Sequence, residues 1–121
     1  MQCKIKNMSI NNNIESQMRK GVLEFCILSI LGDDQAYASD IIKQLKDAKL
    51  IVVEGTLYPL LTRMKNSGLL SYHWEESTQG PPRKYYSITK DGQKFHKQLS
   101  ETWENMVSSV NTITNKNSDN V

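Results

Sequence analysis

Residues 54–88 read EGTLYPLLTRMKNSGLLSYHWEESTQGPPRKYYSI, and the hydrophobic period changes partway along them. From Glu54, the apolar positions Leu57, Leu60, Leu61 and Met64 fall at i, i+3, i+4 and i+7, which is one face of a helix. Gly68 marks its end just after Ser67. Pro59 fits such a helix only in or near the first turn, where backbone N–H groups lack helical partners. From Leu70 to Glu75 apolar and polar residues alternate, the pattern of a strand. Thr78–Pro82 is a turn by composition. Arg83–Ile88 returns as a second strand, with Lys84, Tyr86 and Ile88 on one face. The stretch therefore predicts a helix running into a β-hairpin whose return strand is basic.

Upstream, a first helix is expected from about Ile14 to Leu31, apolar around most of its circumference, with Gly32 after its end and Asp33-Asp34 opening a loop. A second helix fits Ser39 to about Asp47, with Ile41, Ile42 and Leu45 inward, and the loop Ala48–Val53 joins it to the third. Downstream, Thr89 is a good N-cap for a last helix reaching about Ile113. That helix carries Phe95, Leu99, Trp103, Met106, Val110 and Ile113, a narrow apolar seam. Only the over-apolar first helix is left to cover it, so a homodimer joining first and last helices is expected. Its interface residues are Phe25, Leu99, Trp103, Met106 and Val110. The expected division is an N-terminal arm over 1–14, disordered and Asn-rich, then a domain of three helices and the hairpin over 15–89. A dimerisation helix over 90–114 and a disordered tail over 115–121 follow.

Composition narrows the function. A chain of 121 residues suits one domain, and its formal charge is only +2. Mean hydropathy is −0.53, and no apolar run approaches the roughly 18 residues of a spanning helix, so no membrane partner is expected. Cys3 and Cys26 make no disulfide framework and the N-terminus lacks a signal peptide's apolar centre, so the expected location is cytoplasmic. Between Arg83 and Lys97 lie Arg83, Lys84, Lys90, Lys94 and Lys97 against Asp91, a local basic segment. His73 reads as the polar face of a strand and His96 as an exposed helix position, neither with a nucleophile at a recognisable spacing. No enzyme is indicated. Metal-ligand spacings are absent and no cofactor is implied.

The order helix, helix, helix, hairpin, helix describes a mostly α fold, a winged helix-turn-helix with a C-terminal dimerisation helix. In it the third helix can enter a DNA major groove while the hairpin follows adjacent phosphates. The helix face opposite the Leu/Met stripe would show Gly55, Tyr58, Pro59, Thr62 and Arg63, with Thr56 and Lys65 at its margins. The competing reading is a winged helix that binds protein and not DNA. It would more naturally show an apolar patch where this chain has Arg83, Lys84 and a polar helix face.

The segments Glu54-Gly-Thr-Leu-Tyr-Pro-Leu-Leu61, Gly68-Leu-Leu70, Gly80-Pro-Pro-Arg-Lys-Tyr-Tyr86 and Thr89-Lys-Asp-Gly92 resemble the PadR family of bacterial transcriptional regulators. The resemblance runs from about Gln17 to Ile113, and the single C-terminal helix is similar to the shorter subfamily. It implies a winged-helix homodimer, usually a repressor, on a pseudo-palindromic operator of double-stranded DNA. Carried over, it puts Thr56, Tyr58, Pro59 and Arg63 at the DNA and Arg83 and Lys84 on the wing. The second helix departs from the family's usual opening, reading Tyr37-Ala-Ser-Asp-Ile41, with Ser39 in place of an aromatic; Tyr37 and Ser39 are its candidate contacts. Some drug-sensing relatives stack planar ligands on a Trp at the dimer centre. By that likeness Trp103, with Met18, Phe25 and Val107, is a candidate pocket for a planar aromatic effector that releases the repressor, beside the plainer role of packing the interface.

Overall fold

The computed structural model describes residues 18–19 and 21–115, so the N-terminal arm and the end of the tail lie outside the described residues. Helices α1 (Leu23–Asp33), α2 (Ala38–Asp47), α3 (Glu54–Asn66) and α4 (Lys90–Thr114) alternate with strands β1 (Ala36–Tyr37), β2 (Leu70–Ser77) and β3 (Gly80–Ile88). The strands form an antiparallel sheet in the order β1-β3-β2. Thus the hairpin gains a third strand. A two-residue strand is too short to show alternation, and β1 exists only because Ala36 and Tyr37 pair with Tyr86 and Tyr85.

The α1 helix is shorter than its hydrophobicity suggests. It starts at Leu23, after a turn at Gly21–Val22 that separates it from helical Met18–Arg19; residues 14–17 of the expected helix are outside the described residues. Gly21 breaks the run, as a residue with no side chain to hold helical geometry does. Gly32 does not end the helix, which continues to Asp33 and is broken at extended Asp34. The helix is apolar nearly all round because it is central: it packs against α2, β3 and α4. Leu23, Ile27, Leu28 and Leu31 are buried, and Cys26 and Ile30 pack at the margin. Burial pushes the Cys26 thiol above its ordinary range, as expected of a packing thiol.

The other faces follow the spacing. Ile41 and Leu45 of α2 and Leu57, Leu61 and Met64 of α3 are buried, with Ile42 and Leu60 packed beside them. Both helices end in the same way. After α3, Gly68 has φ +82° and the N–H of Leu69 donates to the Met64 carbonyl. After α2, Lys49 has φ 69° and the N–H of Leu50 donates to the Leu45 carbonyl. These are Schellman ends, each with an apolar residue closing over the last turn. The second places a lysine where glycine is usual, so the sequence carries no signal for it. The expected Thr78–Pro82 turn is tighter than its composition implies, because Gly80, Pro81 and Pro82 already belong to β3. The pairing is irregular between Glu75 and Ser77, and the prolines sit where a ladder N–H is not required.

Thr89 joins these parts. Its hydroxyl accepts from the Gly92 N–H at 2.9 Å and donates toward the Gly68 and Leu69 carbonyls at 2.6 and 3.0 Å. Its own N–H donates to the Leu69 carbonyl at 3.1 Å. The helix therefore starts against the turn that ends α3. Gly92 is buried there, and a Cβ at this position would lie 2.2 Å from the Leu69 carbonyl oxygen.

Gly92→Ala should destabilise the fold by about 3 kcal/mol, the scale of an overpacked site with nowhere to relax. Gly32→Ala, whose Cβ meets nothing within 4 Å, should leave stability unchanged or raise it slightly. Urea unfolding at fixed protein concentration, followed by circular dichroism, separates the two through their midpoints.

Candidate nucleic-acid interface

The α3 helix presents a polar face because its apolar stripe is buried. Gly55, Thr56, Tyr58, Pro59, Thr62, Arg63 and Lys65 are all exposed. Pro59 lies in the second turn of the helix, not the first, since α3 begins at Glu54 with Val53 as N-cap. Having no N–H, it leaves the Gly55 carbonyl without its i+4 donor, and this is tolerated because both residues face solvent. Tyr58, Pro59, Thr62 and Arg63 share one shallow depression with Asn66 along this face.

Arg63 is already engaged. Its guanidinium donates to Glu24 of α1 at 2.7 Å, so its charge is locally balanced. An exposed pair of this kind contributes little to stability. Lys65 turns the other way, its Nζ 5.8 Å from the centre of the Tyr72 ring.

Strand alternation sends Arg83 and Lys84 to opposite faces of the sheet. On the outer face, the Arg83 guanidinium lies 3.9 Å over the Tyr37 ring and donates to the Ser39 hydroxyl at 2.7 Å. Tyr37 is itself stacked on Tyr85, with ring centres 4.7 Å apart and 20° between planes. On the inner face, the Lys84 ammonium lies 4.5 Å from the Tyr72 ring centre and 5.5 Å from that of Trp74. Each cation thus has an aromatic support, worth about 0.5–1 kcal/mol at an exposed site. Neither has a carboxylate partner among the described residues. Glu75, which faces Arg83 across the ladder, instead meets His73 at 2.7 Å.

Tyr37, Ser39, Tyr58, Arg83 and Lys84 line one cleft of about 320 Å³ between α2, α3 and the hairpin, together with Trp74. Five expected site residues from four elements therefore meet in one place. Tyr37 precedes α2 as its N-cap, where its N–H donates to Asp40 at 3.1 Å, and this fixes the ring under Arg83. Gly55 and Thr56, at the start of α3, lie outside the cleft lining, as do Thr62 and Lys65. Trp74 was missed. Its alternation marked a strand, while the signal available was a bulky aromatic placed to pair across the hairpin with a wing lysine. Behind the cleft, burial, then Tyr58 and Tyr72, push the Tyr86 hydroxyl above its usual range, so it stays neutral.

The second group of expected residues lies between α1 and α4. Phe25 and Trp103 come together with ring centres 6.3 Å apart. Leu99 and Val107 are half-buried, whereas Trp103, Met106 and Val110 are exposed along α4. Met18 is 72% exposed and precedes the turn at Gly21, so it is not part of α1 as expected. His96 is also not the exposed position expected of it. Its Nε2 is 2.8 Å from the Ser29 hydroxyl and its ring centre 5.4 Å from that of Phe25, because this side of α4 lies on α1.

Comparison with known proteins gives one family. The model of the transcriptional regulator PadR-like family matches residues 27–98. A PadR-like transcription factor from Bacteroides fragilis has a similar structure, 61% identical, with TM-score 0.72, over 84% of this chain and 98% of that one. A PadR-like transcriptional regulator from Bacillus cereus is 37% identical, with TM-score 0.72, over 81% of this chain and 96% of its own. A PadR family regulator from Eggerthella lenta, 28% identical, superposes with TM-score 0.82 over 91% and 96% of the two chains.

If the wing cations meet phosphates, Arg83→Ala and Lys84→Ala should each lower the slope of log K against log salt by about 0.9. Arg63→Ala should lower it less, because Glu24 already balances that charge. Fluorescence anisotropy on labelled duplex DNA at four salt concentrations measures all three slopes.

Proposed function

The chain belongs to the PadR-like family of transcriptional regulators, and on that premise we propose that it binds a pseudo-palindromic operator as a homodimer and represses. Family membership makes it a transcriptional regulator and not an enzyme. The observation that carries the DNA reading is the cleft in which Arg83 and Lys84, free of carboxylates among the described residues, stand beside Tyr58 of α3. A duplex laid across that surface would take the exposed α3 face in its major groove, where Thr62 and Tyr58 meet base edges. The wing cations would take the flanking phosphates, which set register and affinity but carry no sequence information.

The homodimer reading is supported by α4. Beyond Ser100, Trp103, Met106, Val110 and Ile113 stay exposed on one side, and a second copy of the same helix suits so regular a seam. Two copies would present two α3 helices to half-sites about 34 Å, one helical turn, apart. The effector reading is supported by Phe25 and Trp103, whose rings meet at a tilt of 46° between α1 and α4 at the edge of that seam. A planar aromatic molecule inserted there would change how α4 sits on α1, and with it the spacing of the two α3 helices. Occupancy of an operator by so small a protein suits repression by exclusion.

Titration of purified protein into duplex DNA from its own upstream region, against a scrambled duplex, should show preference for the native sequence with two protomers per site. No binding to either at low salt would favour a protein-interaction module instead. Tyr58→Ala and Thr62→Ala should reduce the preference between the two duplexes by about tenfold while leaving the salt slope unchanged. Trp103→Ala should shift sedimentation toward the monomer or abolish release by planar ligands.

A further inference from the structure

Trp74 sits on β2 directly across from Lys84 of β3, and it is 59% exposed. Its side of the strand is the one that carries buried Leu70 and half-buried Tyr72. Leu70, Tyr72 and Tyr86 already complete the core there, so the fold does not need an indole at this position for burial. The ring is nevertheless held in place. Tyr72 meets it edge-on at 6.0 Å and 87°, and the Lys84 ammonium stands 5.5 Å from its centre. Its open side faces the cleft shared with Tyr58 of α3. An exposed, oriented aromatic beside an unpaired cation has the makings of an interface anchor, whose apolar area is covered only in the complex.

We propose that Trp74 is a DNA-contact residue of the wing, packing its open ring face on the deoxyribose of the strand whose phosphate Lys84 takes. The inference rests on the duplex-DNA reading above and adds to it a contact without charge. Deoxyribose offers C–H surface of the same kind at every nucleotide, so the contact strengthens binding to any sequence. It displaces no counterion, so it leaves the salt slope alone. A residue that served only to mount Lys84 would behave differently, because its loss would take the Lys84 phosphate contact and the associated slope with it.

The test compares wild type, Trp74→Ala, Trp74→Phe and Lys84→Ala on upstream and scrambled duplexes across a salt series, with circular dichroism as the control for folding. Trp74→Ala should bind both duplexes about tenfold more weakly at every salt, with unchanged slope, the scale of a truncated interface anchor. Trp74→Phe should recover most of the loss, and Lys84→Ala should lose about 0.9 of slope. Tryptophan emission of the wild type should become protected from acrylamide on adding duplex. In Trp74→Phe, where Trp103 is the remaining tryptophan, that protection should vanish. Wild-type affinity in Trp74→Ala, or an indole still open to acrylamide in the complex, overturns the contact. A slope loss in Trp74→Ala equal to that in Lys84→Ala overturns it in favour of a mount. A wild type that binds neither duplex removes the DNA reading itself, and this inference with it.

Discussion

The contact of Gly92 with the Leu69 carbonyl, clamped by Thr89, is the constraint on which the rest of the structure depends. Through it the end of α3, the start of β2, the end of β3 and the start of α4 occupy one small volume. The wing leaves that volume in one direction and the long C-terminal helix in another, while α3 enters it. The angle between α3 and the hairpin is therefore set at the junction and not along the strands. A side chain at residue 92 would push α4 off the Leu69 turn and open that angle, which is why glycine stands in the first turn of a helix where it is otherwise costly.

From that junction outward, the sheet divides the basic wing into two differently equipped sides. Arg83 stacks above Tyr37 and Tyr85 and is steered by Ser39 at the start of α2, whereas Lys84 rests between Tyr72 and Trp74 beneath α3. Long basic side chains lose rotamer freedom when they bind a phosphate. Aromatic supports restrict them beforehand without neutralising them, as a carboxylate would. On the DNA-binding reading, the placement of Glu75 on His73, which leaves Arg83 opposite it without a carboxylate among the described residues, would serve the same end.

Most of the fold was legible because the deciding signals are local. The Leu57, Leu60, Leu61 and Met64 spacing, the Gly68 stop, the strand alternation from Leu70 and the Thr89 cap all act within a few residues, and each marks the element the structure contains. What escaped depends on distant chain. The β1 strand exists through Tyr85 and Tyr86, the Lys49 turn resembles no glycine signal, and α1 is apolar all round because three elements cover it. For the site, sequence spacing gathered the residue types but not their partners. Nothing near Arg63 in the chain announces Glu24, 39 residues away, and nothing near His96 announces Ser29. Alternation alone accounts for Trp74 as a strand residue; only the cleft shows that its ring is not needed by the core.

Two adjacent residues of α1 touch two different elements of the molecule. Glu24 holds Arg63 on α3, and Phe25 meets Trp103 on α4. One turn later Ser29 meets His96 of α4. A molecule wedged between Phe25 and Trp103 must displace either α1 or α4. The core side of α1, with Ile27 and Leu28 fully buried against its neighbours, makes that helix the stiffer of the two. Among the described residues, α4 beyond Leu99 holds no buried side chain, so it is the less firmly anchored of the two. In the proposed dimer built on α4, a small rotation about the Thr89–Gly92 junction would be multiplied along the 25 residues of that helix. On the homodimer reading, the wing and α3 of each protomer would move together as one body, and what would change is the distance between the two α3 helices, not the shape of either.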